Sequence, residues 1–120
     1  MKLEVGQFAR LKSGYIVKVL NVKDDWIETD TKFITRTFPK DFVKASYNII
    51  DLIEVGDYVN GLRVEKNKYG ELYTSYVYYG GDIGKQCEVY TTWLKELKED
   101  MIYSIVTHEQ MEQMAYKVGE

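Results

Sequence analysis

Residues 53–58 read IEVGDY, and residues 3–8 read LEVGQF. Both follow one order: apolar, Glu, Val, Gly, polar, aromatic. A strand of a small β fold opens this way, because the glycine lets the chain bend as it enters the strand and period-two alternation then sorts the side chains to opposite faces. Each copy runs on into a hairpin pattern. The echo leaves two readings open, a structural repeat or the shared grammar of β-strands.

Outward from the second copy, Asp57-Tyr58-Val59, Asn60-Gly61 and Leu62-Arg63-Val64 form the clearest hairpin. Asn-Gly suits a type I′ turn, whose central residues both need positive φ. From the first copy, Gln7–Lys12 and Tyr15–Val22 flank a Ser13-Gly14 turn, with Tyr15, Val17 and Val19 on one face. Trp26–Glu28 and Phe33–Phe38 are further strands, and Pro39 ends the latter because it cannot donate to a ladder. The apolar run FVKASYNIIDLI, residues 42–53, fits a strand or a bridging segment equally. Asn67–Gly70 turns the chain, and Glu71–Tyr79 and Gln86–Leu94 read as strands around the glycine-rich YGGDIG. Thr91–Asp100 also accommodates a helical turn.

One helix is expected at the C-terminus. Thr107 serves as N-cap with Gln110 completing a capping box, and Val106 and Met111 form a hydrophobic staple. Met111, Met114 and Ala115 supply an apolar stripe, and a helix this short must dock on a sheet to persist. The fold class that follows is mainly β (all-β or α+β). Its architecture is an antiparallel SH3-like small barrel or meander, with residues 1–45 and 46–106 as two similar halves and a helix over 107–120, all one compact unit.

The totals agree. A chain of 120 residues with 45% apolar and 29% charged residues and a single proline is a folded domain with a core. No run approaches the ~20 apolar residues of a membrane span, and the N-terminus lacks the apolar region of a secretory signal. The lone Cys87 forms no internal disulfide, which points to the cytoplasm. The first fifty residues carry nine Lys/Arg against six Asp/Glu, whereas the remaining seventy carry seven against thirteen. That asymmetry could orient a partner or drive self-association.

A search for catalytic chemistry returns little. His108 is the only histidine and falls at a helix start, where it reads as solvated. Cys87 lies in a strand and reads as a packing thiol. No metal-ligand spacing is present, and YGGDIG matches neither dinucleotide nor phosphate loops, so no cofactor is expected and the chain reads as a non-enzyme.

Six of the eleven tyrosines fall between residues 69 and 90. On a strand, Tyr73 and Tyr79 share one face and Tyr76 and Tyr78 the other, so these phenols cannot all be core. Exposed tyrosines give large contact area at low rotamer cost. Tyr73, Tyr76, Tyr78 and Tyr79, with Asp82 of the glycine loop, are therefore the candidate surface for a protein partner. The alternative is a nucleic-acid-binding barrel using Arg10, Lys12, Lys18 and Arg36, against which the acidic pI of about 5.3 argues.

Two stretches, VKASYNIIDLIEVGDYVNGLRV (residues 43–64) and SIVTHEQMEQMAYKVGE (residues 104–120), resemble a family of small uncharacterised proteins encoded by phages and prophages of low-GC Gram-positive bacteria. The likeness covers roughly a third of the chain and omits residues 65–103. It implies a phage-derived cytoplasmic protein of the bacterial host and supplies no catalytic residues. It also implies a binding role, since small phage proteins often engage host or viral macromolecules.

Overall fold

The computed structural model describes residues 2–31, 37–79 and 87–115, with the side chains of Tyr79 and Cys87 outside that description. Within these residues the chain is mainly β, with ten strands in three antiparallel sheets and one helix near the C-terminus. Among the described residues the strand orders are open and no sheet closes on itself, so the expected small barrel does not form; meanders of adjacent hairpins take its place. The chain divides into two compact units, Met1–Ile53 with Glu109–Glu120, and Glu54–His108.

In the first unit, β1 (Phe8–Leu11), β2 (Ile16–Val22), β3 (Ile27–Thr29) and β4 (Phe42–Ser46) form one sheet in the order β3-β2-β1-β4. Alternation explains the core. Val17 and Val19 of β2 turn inward onto Leu3, Ala9, Leu11, Ile27 and Phe42, while Lys18 and Leu20 stay outside. Val43 is an extra residue opposite the Arg10–Leu11 step, a bulge in β4. The ambiguous run 42–53 is thus a strand followed by a 3-10 turn, Ile49–Leu52, whose Asn48 side chain accepts from the Ile50 N–H. Of the strand expected over 33–38, only Thr37 and Phe38 are described; Thr37 bridges to Ile27, and Pro39–Asp41 is a 3-10 turn.

β1 is buried on both faces. Arg10, on the side opposite Ala9 and Leu11, is wholly inaccessible. Its Nη1 donates to the Leu52 carbonyl at 2.9 Å, and its Nη2 donates to both oxygens of Glu109 at 2.5 and 3.0 Å. A buried guanidinium demands such pairing, because an isolated buried charge is too costly to keep. Helix α1 (His108–Met114) is therefore not held by the apolar stripe the sequence suggested. Met111, Met114 and Ala115 are exposed. Glu109 and Gln113, one turn apart on it, both make bonds, the second to the Ser13 carbonyl at 3.0 Å.

In the second unit, β5 (Tyr58–Val59), β6 (Leu62–Arg63) and β10 (Ile105–Val106) form a sheet in the order β10-β5-β6. The β5–β6 turn has φ of 52° at Asn60 and 83° at Gly61, as the Asn-Gly pair predicts. β7 (Glu65–Lys66), β8 (Leu72–Tyr79) and β9 (Cys87–Trp93) form the third sheet. The ambiguous stretch 91–100 is strand through Trp93, then two 3-10 turns, Leu94–Glu96 and Glu99–Met101.

The echoed hexapeptides are the same turn built twice. Gly6 and Gly56 both have φ of 92°, a region in which a side chain would be strained. Glu4 N–H donates to Gln7 Oε1 at 2.9 Å and Gln7 N–H to the Glu4 carbonyl; Glu54 N–H donates to Asp57 Oδ2 at 2.7 Å and Asp57 N–H to the Glu54 carbonyl. Each glycine N–H then closes the open end of the following hairpin, on Val19 O and on Val64 O. A later strand returns beside the first strand of each hairpin, β4 on β1 and β10 on β5. An aromatic ring follows each returning strand and reaches its turn: Tyr47 OH donates to the Glu4 carboxylate, and His108 Nε2 lies 3.2 Å from Glu54 Oε1. A Cβ on Gly6 would sit 3.7 Å from the Tyr47 ring, and one on Gly56 would sit 3.4 Å from His108 Cβ.

Candidate functional site

The β8–β9 hairpin carries the tyrosines singled out from the sequence. Leu72–Tyr79 and Cys87–Trp93 are rich in β-branched and aromatic residues, and they pair antiparallel over seven residue pairs, from Tyr73↔Trp93 to Tyr79↔Cys87. At the root, Tyr73 packs edge-on against Trp93, with centroids 5.5 Å apart, and Thr74 is buried. Lys95 Nζ donates to Glu71 at 2.8 Å beside it. That bond lowers the Glu71 carboxyl below its ordinary pKa and raises the Lys95 ammonium above its own.

Beyond Thr74 the described side chains of the ribbon leave both faces open. On one, Tyr76 stacks on Tyr90 at 5.1 Å and 17° between planes, and Tyr78 stands opposite Glu88. All four side chains are exposed. Tyr90 OH donates to the Glu88 carboxylate, which raises the phenol's pKa by favouring its protonated form. On the other face Val77 and Val89 are opposite each other and 45% and 63% exposed.

The structure thus brings Tyr76 and Tyr78 together on one face, as alternation required, but removes Tyr73 to a half-buried root. Asp82 and the Tyr79 side chain lie outside the described residues. Tyr90, Val77 and Val89 join this exposed surface, and strand alternation alone does not mark them. Pairing the two strands across the glycine loop would have placed Tyr90 over Tyr76.

The basic set fares differently. Arg10 cannot touch a phosphate, because it is buried and committed to Glu109 and Leu52; its place on a strand covered on both faces overrides its charge. Lys12 and Lys18 are exposed, Lys18 with its Nζ 5.5 Å from the Phe8 ring centre, and Arg36 lies outside the described residues. His108 is not free in solvent as the sequence suggested. Its ring meets Glu54, and its backbone N–H donates to the buried Asp57 carboxylate at 2.9 Å. Among the described residues, no helix is long and apolar enough to cross a membrane.

No family model, curated protein or solved structure matches this chain.

Proposed function

We propose that this protein acts by binding rather than turnover, and that the Tyr76–Tyr78–Tyr90 face of the β8–β9 ribbon receives a protein partner. The observation that carries the reading is the stacked, exposed Tyr76–Tyr90 pair with Tyr78 beside it. Rings pre-stacked on a strand lose little freedom on contact, so they deliver area without a large ordering cost. An exposed group of large aromatic side chains also marks a recognition surface on general grounds. The sequence resemblance to phage and prophage proteins favours a host or viral macromolecule in the bacterial cytoplasm as partner. The nucleic-acid alternative loses Arg10, and the Tyr face carries a carboxylate, Glu88, that repels phosphates.

The test is affinity capture from infected or lysogenic Gram-positive cells with the wild-type chain and with Tyr76→Ala/Tyr78→Ala. The reading expects capture to be lost by the variant while its melting temperature stays at the wild-type value. Undiminished capture overturns it.

A further inference from the structure

We infer that the outer edge of β9 pairs with the same edge of a second copy of this chain, joining two β8–β9 ribbons into one antiparallel sheet. Among the described residues β9 has a ladder partner on one side only, so its other side presents a row of backbone donors and acceptors. The chemistry that satisfies such a row is another extended strand. Monomeric proteins guard exposed edges with charged side chains, lysine above all, or with proline; β9 carries one carboxylate, Glu88, and neither lysine nor proline, since Cys87–Trp93 reads CEVYTTW.

Charge selects the occupant. The eight residues of β8 and seven of β9 carry one charged side chain, Glu88, although the chain as a whole has a net charge of −3. Two copies therefore meet along the stretch where their mutual repulsion is smallest. Antiparallel pairing about a two-fold axis at Tyr90 sets Glu88 against Thr92 of the second copy, so the two carboxylates are never opposed, and Val89 meets Thr91. Each copy uses its β9 edge once, and the arrangement closes as a dimer instead of growing into a fibre. The tyrosine faces then run on side by side, with Tyr76 and Tyr90 of both copies in one strip.

The test uses the purified full chain with no partner present, so its outcome is separate from the capture experiment. Analytical ultracentrifugation should show a concentration-dependent dimer, and Val89→Lys/Thr91→Lys should convert it to a monomer with an unchanged circular dichroism spectrum. A wild-type chain that stays monomeric at every concentration overturns the inference. So does a dimer that both lysines leave intact. Register is read with Cys87→Ser/Tyr90→Cys: opposed Cα atoms in such a ladder lie about 4.5–5.5 Å apart, within disulfide reach. Oxidation should trap this dimer, and Cys87→Ser/Tyr78→Cys should not be trapped; the reverse pattern would contradict pairing at β9.

Discussion

The β1–β2 and β8–β9 hairpins follow the same local rules and end in opposite conditions. Val17 and Val19 of β2 are 2% and 1% exposed, whereas Val77 and Val89 are 45% and 63% exposed. Both pairs sit on alternating antiparallel strands. Burial therefore depends on what a strand's surroundings supply, and the second hairpin displays side chains that the first would spend on its core. Core packing belongs to the first, and exposed aromatic and apolar side chains belong to the second; the binding role proposed for the second rests on that exposure.

The sharpest way to break that contrast is Arg10→Ala in the covered hairpin. It leaves Glu109 without its buried guanidinium, and urea unfolding should show a loss of about 3 kcal/mol or more. A loss near zero would mean the buried pair is not what holds the helix. Next come the two turns. Asp57 is fully buried and serves two N–H donors, from Glu54 and His108, while the half-exposed Gln7 side chain serves Glu4. Asp57→Ala should therefore cost about 2–3 kcal/mol and Gln7→Ala about 1 kcal/mol in the same assay. Equal losses would erase the difference between the repeats.

The hairpins themselves are compared by one isosteric change. Val19→Thr buries a hydroxyl and should cost about 1–3 kcal/mol, and Val89→Thr should stay within about 0.5 kcal/mol. The smallest effect concerns the ribbon's root. The Glu71 carboxyl is depressed by Lys95, so its contribution is present above the ordinary carboxylate pKa and is lost as pH falls through the lowered folded value. Because both groups are exposed, the decline in melting temperature on acidification should be slight, and Glu71→Gln should remove that part of it.

Much of this was legible in the sequence. Asn60-Gly61 fixed its turn, Tyr76 and Tyr78 fell on one face, and the hexapeptide echo proved to be one hydrogen-bonded turn used twice. What could not be read were long-range commitments. Arg10 looks like any surface cation until its strand is seen covered on both sides, and Glu109 is ninety-nine positions away. The helix stripe misled for a similar reason: 3.6-residue periodicity identifies a face able to pack, and in the fold Met111, Met114 and Ala115 are exposed while Glu109 and Gln113 make bonds. Tyr90 required the register of a hairpin whose ends only the fold brings into line.

The central claim is that, among the described residues, the ribbon beyond Tyr76 and Tyr90 supports no other part of the chain's fold. It is tested most directly by the melting temperature of a chain in which Tyr76 is joined to Tyr90 through Asn-Gly, deleting residues 77–89. At a concentration where the wild-type chain is monomeric, the shortened chain should unfold in one cooperative transition at the wild-type temperature. Loss of that transition, or a large drop in its midpoint, would show that the ribbon is part of the fold's support and contradict its assignment to binding.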